Sequence, residues 1–255
     1  MPADTYVRYA TDAAGVATVE FATPPHNSLS AAQLAALAGA FDEAARDPAC
    51  RVVVLRAGGH RTFCAGASLD ELLAVATEAE GTAFFEGFAR VVNAMRRCPR
   101  LILGRIHGKA VGGGVGLAAA CDLAFATRFA AVRLSELALG IGPFVIAPAV
   151  ARKVGVAALA DLSLRPAEFL GAASAKTAGL YTEVLDDAEA LDRAVAAKAG
   201  ELAGYGAAAS AAWKRALWAG TDDWDDLLAR RAALSGRLVT LPPAREALAV
   251  LRGSR

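Results

Sequence analysis

The stretch Ile106-His-Gly-Lys-Ala-Val-Gly-Gly-Gly-Val-Gly-Leu-Ala-Ala-Ala-Cys-Asp122 constrains the chain more than any other. Leu101 to Ile106 is apolar and reads as a buried strand. The Ala/Leu/Val run after Gly114 reads as a buried helix. A strand, three glycines and a helix start gather free backbone N–H groups at one place, because the first N–H groups of a helix lack intrahelical partners. Glycine also lets a ligand approach the backbone closely. Two uses are open for such a stretch: a tight turn with close helix packing, or a site for a phosphate or a transient oxyanion.

With 255 residues, 55% of them hydrophobic, the chain can bury one large core. A net charge of +1 gives no global field for nucleic acid or an anionic membrane. Cys50, Cys64, Cys98 and Cys121 form no close pair, which points to a reduced, cytoplasmic setting without a disulfide framework. His26, His60 and His107 have no metal-ligand spacing, so no metal site is expected. No leader-like segment or membrane span is expected either.

Hydrophobic patterning predicts a hairpin of Tyr6–Ala10 with Val16–Phe21, and a helix capped by Ser30 and running to Arg46. Residues 51–56 read as a strand and 58–68 as a glycine loop. Helices are expected at 69–79 and 82–97, with short strands at 123–126 and 131–134. From residue 148 onward helical segments dominate, at 148–154, 156–164, 167–179, 188–203, 206–219, 223–240 and 243–252. The expected fold is an α/β core over residues 1–190 with a helical region over 191–255.

Three segments carry potential chemistry. In Thr62-Phe-Cys-Ala-Gly-Ala-Ser-Leu-Asp-Glu71, a loop reaches Ala65-Gly66-Ala67 and starts a helix, making the Ala67 N–H a candidate donor. In Gly112-Gly-Gly114, the Gly113 N–H is a second. In Val132-Arg-Leu-Ser-Glu136, the glutamate follows an apolar strand, where desolvation raises a carboxyl pKa towards the range useful for proton transfer.

Order and spacing together resemble the crotonase (enoyl-CoA hydratase/isomerase) superfamily. Asn27-Ser-Leu29, Cys121-Asp122 and the run Ala172–Val184 add to the likeness. The resemblance implies a spiral of ββα turns with a helical C-terminal trimerisation region, hence a homotrimer or dimer of trimers. It implies an acyl-CoA thioester held between the Ala67 and Gly113 N–H groups, with Glu136 as acid/base. Ala65, Ser68, Leu69, Gly112 and His26 would line the substrate's path. Coenzyme A belongs to the substrate, and no separate cofactor is implied.

One departure matters. Many hydratases of this family carry a second glutamate two residues after the triple glycine, where this chain has Gly116. A lone Glu136 suits a Δ3,Δ2-enoyl-CoA isomerase. The run Ser135-Glu136-Leu-Ala-Leu-Gly-Ile-Gly-Pro-Phe-Val-Ile-Ala-Pro148 instead resembles a hydratase branch that includes methylglutaconyl-CoA-type enzymes, and favours hydration. A catalytically silent acyl-CoA-binding subunit is the third alternative. Gly116 is expected to leave space, for a branched or carboxylated acyl chain or simply for solvent. Partners for the CoA phosphates are expected on the Arg/Lys-bearing C-terminal helices. Cys64, His107 and Asp122 are expected to be structural, and Asp70 and Glu71 to begin a solvated helix face. Trp213, Trp218 and Trp224 suggest more apolar surface than one core covers.

Overall fold

The computed structural model describes residues 5–253. Its chain order repeats one motif. Strands β1 (Tyr6–Thr11) and β2 (Val16–Ala22) form an antiparallel hairpin, followed by helix α1 (Ala31–Arg46). Next come β3 (Val52–Ala57), β4 (Thr62–Cys64) and the helices α2 (Leu69–Ala74) and α3 (Glu78–Arg97). The motif recurs as β5 (Leu101–Ile106), β6 (Lys109–Val111) and α4 (Gly113–Ala120). It recurs again as β7 (Leu123–Thr127), β8 (Val132–Arg133), a 3-10 turn (Glu136–Leu139) and α5 (Ala147–Leu164). Then follow α6 (Ala172–Thr177), β9 (Glu183–Leu185), α7 (Ala188–Ala203), α8 (Ala207–Leu217), α9 (Trp224–Val239) and α10 (Pro242–Gly253).

In the turns that begin at β3, β5 and β7 the first strand joins a six-stranded sheet, β1-β2-β3-β5-β7-β9, and the second joins a three-stranded sheet, β4-β6-β8, whereas both strands of the opening hairpin lie in the large sheet. All pairings after the hairpin are parallel. The result is a spiral of ββα turns in which each of these three turns adds one strand to each sheet. Helix α7 covers one face of the large sheet with Leu191, Val195 and Ala199 against Val52, Val54, Leu103 and Phe125. The other face, the small sheet and most helices share the main core. Residue 190 lies inside α7, which starts at Ala188.

Local signals explain most boundaries. The Ser30 hydroxyl caps α1 by accepting from Gln33 N–H at 3.2 Å. The expected helix over 69–79 stops at Ala74, and α3 starts at Glu78 rather than residue 82. The cause is a capping box: Thr77 accepts from Glu80 N–H, and the Glu80 carboxylate accepts from Thr77 N–H. The expected helix over 167–179 shrinks to α6, because Leu170 forms a bridge with Val132. Helix α5 contains the expected break, at Gly155 with φ 77°. The tryptophan expectation is corrected in part. Trp218 and Trp224 are buried edge-to-face against each other with centroids 5.7 Å apart, and Trp213 alone of the three is exposed.

No helix among the described residues is long and apolar enough to cross a membrane.

Candidate active site

The three strands of the small sheet end side by side, and their C-terminal ends carry the three chemical segments. β4 leads into Ala65-Gly66-Ala67, β6 into Gly112-Gly113, and β8 into Ser135-Glu136. β6 is central, so the glycine loop lies between the Ala67 loop and the glutamate. Ligand sites in parallel sheets form at such carboxyl ends. Adjacent strands are about 4.8 Å apart, a spacing at which donors on neighbouring loops can flank one oxygen.

The donor directions follow from backbone hydrogen bonds. Leu29 N–H donates to the Gly66 carbonyl at 2.8 Å, and Ser68 N–H donates to the Leu29 carbonyl at 2.9 Å. The peptide between Gly66 and Ala67 is planar, so the Ala67 N–H points opposite to the Gly66 carbonyl, away from this bridge. The Gly112 carbonyl accepts from Val115 and Gly116 N–H groups in the first turn of α4. The Gly113 N–H points the other way, out of the helix start. Gly66 has φ 86°, and a Cβ there would meet the Val111 carbonyl oxygen at 2.9 Å and Gly113 N at 3.5 Å. Only glycine permits this conformation and this approach, which bring the two donor loops into contact.

Glu136 faces the same spot. A Cβ on Gly112 would lie 2.9 Å from Glu136 Oε1. The residue as a whole is half-buried, but its carboxyl end is the covered part: Oε2 is inaccessible and has no hydrogen-bond partner. Burial pushes the carboxyl pKa up to about 7, against smaller lowering by its own backbone N–H and by Arg133.

These groups open onto an apolar cavity with Leu69, Leu72, Phe85, Phe88, Leu139, Ile141, Val145 and Ile146 in its wall. Ala65, Ala67, Gly112 and Gly113 line it as well. Glu136 is the one acidic side chain among its described lining residues, and Arg133 the one basic side chain. Ser68 stands just outside this lining, where its hydroxyl caps α2 by accepting from Glu71 N–H at 3.4 Å.

Gly116 does not leave the expected space. A Cβ there would sit 2.3 Å from Ile146 Cγ2. The Ile146 methyl therefore occupies the position that a side chain at 116 would need, and no vacant acyl subsite exists there. This contact joins α4 to the start of α5, so it was invisible in local sequence.

A second cavity adjoins the first at Ala65 and Val111 and is rimmed by His26, Arg61 and Lys109. The His26 carbonyl accepts from Ala65 N–H at 3.1 Å, so His26 also fixes the donor loop. Arg61 and Lys109 were missed in the sequence reading, which looked to the C-terminal helices. Two of the arginines there are engaged: Arg231 donates to the Phe144 carbonyl, and Arg245 to the Leu73 and Val75 carbonyls.

Cys64, His107, Asp122, Asp70 and Glu71 lie outside the lining of the first cavity. Burial pushes the Cys64 thiol up to about 12, which leaves it a poor nucleophile. Burial pulls His107 down to about 4. Asp122 accepts from Ile102 N–H at 2.7 Å and pairs with Lys214 Nζ at 3.1 Å. Asp70 is exposed, while the Glu71 carboxylate accepts from Ala31 N–H at 2.7 Å and ties α2 to α1.

The spiral of ββα turns, with two glycine-bearing loops and one buried acid at its strand ends, is the arrangement that the resemblance to the crotonase superfamily implied. The sequence profile of the enoyl-CoA hydratase/isomerase family matches residues 11–240, and the chain belongs to that family. It is 31% identical over 183 residues to a Bacillus subtilis protein named "Probable enoyl-CoA hydratase", covering 71% of this chain and 70% of that one. It is 32% identical over 169 residues to the mitochondrial methylglutaconyl-CoA hydratase of Rattus norvegicus, covering 66% of this chain and 53% of the relative. Among solved structures, an enoyl-CoA hydratase from Mycobacterium avium superposes with a TM-score of 0.83 at 30% identity, covering 99% of this chain and 98% of that one.

Proposed function

We propose that the chain is an enoyl-CoA hydratase that works with a single acid/base group. The thioester oxygen lies between the Ala67 and Gly113 N–H groups. Ionised Glu136 takes a proton from water as the water oxygen bonds to the β-carbon. The electron pair of the 2,3 double bond moves towards the thioester oxygen, and the two N–H groups hold the enolate charge. Donors of this kind are worth about 3–4 kcal/mol each in the transition state. Glu136 then returns the proton to the α-carbon. One water has been added, and the base is regenerated.

The observation that carries this reading is the buried, unpartnered Glu136 Oε2. A carboxylate oxygen in that position needs a donor, and water supplies one, whereas the C–H of an isomerase substrate is a poor donor. His26, Arg61 and Lys109 surround the second cavity and suit the phosphates of coenzyme A. Coenzyme A is part of the substrate, and the reaction needs no other cofactor. A homotrimer or dimer of trimers is the assembly we propose. Its support in this chain is the apolar surface around Tyr205, Trp213 and Leu217, which light scattering at micromolar concentration can test. A stable monomer would contradict it.

A second reading, Δ3,Δ2-enoyl-CoA isomerase, is favoured by Ile146, which fills the place of a second acid. The test measures loss of enoyl-thioester absorbance with 2-enoyl-CoA substrates beside conversion of a 3-enoyl-CoA to its 2-enoyl isomer. Hydration supports the first reading. Isomerisation alone replaces it with the second, and tight acyl-CoA binding without turnover of either would leave a silent acyl-CoA-binding subunit.

A further inference from the structure

Among the polar side chains that line the apolar cavity and take no part in the reaction, one is a hydroxyl buried without a partner. Ser235, on α9, lines the cavity and is only 1% exposed, and its hydroxyl has no hydrogen-bond partner. Serine and threonine inside helices usually donate back to a carbonyl of the preceding turn. Ser163, Thr177 and Thr240 do so here, to the carbonyls of Ala160, Ala173 and Arg237. Ser235 does not.

The position of Ser235 is fixed by tight helix packing. Its neighbour Gly236 lies against α3, where a Cβ on Gly81 would meet the Gly236 carbonyl oxygen at 2.8 Å. On the same helix the Phe88 ring lies against Gly113, 2.2 Å from where a Cβ would stand. Gly81 and Phe88 are two helical turns apart, which is about 10 Å. Ser235 therefore meets the far part of a medium-length acyl chain whose thioester lies at Gly113. Arg133 is the one cation among the described lining residues; its Cζ lies 4.5 Å from the Phe169 ring centroid, and its Nε is buried without a hydrogen-bond partner. Ser235 itself offers no charge, so a carboxylate beside it would carry a larger desolvation cost than a neutral oxygen group.

We infer that Ser235 is a specificity residue that hydrogen-bonds a neutral oxygen group, hydroxyl or keto, on the distal part of the acyl chain. The inference rests on the reading of this cavity as the acyl site. The test compares kcat/KM for a medium-chain 2-enoyl-CoA and for its terminally hydroxylated analogue, in the wild type and in Ser235→Ala. The wild type should favour the hydroxylated chain by about tenfold, the worth of one buried hydrogen bond. In Ser235→Ala that ratio should fall to about one, with no loss of melting temperature. A ratio near one in the wild type, or a preference that survives Ser235→Ala, overturns the inference. So does a stronger preference for the terminal carboxylate. Calorimetric binding of the corresponding saturated acyl-CoAs gives the same ratio without turnover. Failure of the hydratase reading, seen as no turnover of any enoyl-CoA, is thus distinct from failure at Ser235.

Discussion

Two carboxylates flank helix α4, and they have opposite surroundings. Asp122 follows its C-terminal end and is saturated with partners. It receives the Ile102 N–H at 2.7 Å, the Trp218 indole N–H at 3.1 Å and the Lys214 ammonium at 3.1 Å. Lys214, 1% exposed, also donates to the Arg100 carbonyl at 2.7 Å, and Lys153 donates to the Asp122 carbonyl at 2.6 Å. Glu136 stands near the N-terminal end of α4 and has a buried oxygen with no partner. The satisfied carboxylate pins α8 to the sheet. The unsatisfied one keeps its capacity for a proton and for a substrate. Buried polar groups are normally paired, and Glu136 Oε2 is the one carboxylate oxygen among the described buried side-chain atoms that is not.

The largest expected effect is on turnover. Glu136→Gln removes the proton-transfer group but keeps its shape, and kcat should fall by about two to four orders of magnitude. The melting temperature should not fall, because a neutral amide suits that environment at least as well as a carboxylate. Steady-state kinetics beside a thermal melt check both halves, and near wild-type turnover would dissolve the contrast with Asp122.

The same contrast predicts the reverse at the other end of α4. Lys214→Ala leaves Asp122 buried without its ammonium partner and should cost about 3–5 kcal/mol of stability. Urea unfolding measures this, and the Glu136 variant should show no comparable loss.

Stability should also carry the signature of Glu136 through pH. Its carboxyl rises from 4.5 in the unfolded chain to about 7 in the folded one. Between these values the folded state holds a proton that the unfolded state has released, so this contribution is fully present below about pH 4.5 and is lost as pH rises through 7. The difference amounts to about 3 kcal/mol. Chemical denaturation from pH 4.5 to 8 should show that decline in the wild type and a flatter curve in Glu136→Gln.

A smaller effect is expected at Gly116. Gly116→Glu drives a side chain into Ile146 and should destabilise by about 1–3 kcal/mol. Adding Ile146→Ala should relieve part of that loss and open room for a second acid. If Gly116→Glu alone is as stable as wild type, Ile146 does not block the position.

Much of this contrast was legible in the sequence because its parts are local. The Gly112–Gly114 loop, the apolar run before Glu136 and the Ser30 cap each declare themselves within a few residues. The strands β4, β6 and β9 did not, since three residues are too few to show a two-residue period. β4 and β6, together with the two-residue β8, are nevertheless what align the Ala67 loop, Gly113 and Glu136. Contacts between distant segments stayed hidden for the same reason. Nothing local says that Ile146 covers Gly116, that Lys214 reaches Asp122, or that Arg61 and Lys109 join His26 around one cavity. The expectation of space at Gly116 failed because interiors are close-packed, and the room left by the missing side chain is taken by Ile146.

The central claim is that one buried acid does all the proton transfer, and the pH dependence of kcat/KM for enoyl-CoA hydration tests it most directly. That profile reports the essential groups of the free enzyme. A single rising limb centred near pH 7, level at higher pH, is the predicted result, since Glu136 must be ionised to take the water proton. A rising limb near pH 4.5 would contradict the desolvated glutamate, and a bell with a falling limb would show a second essential acid.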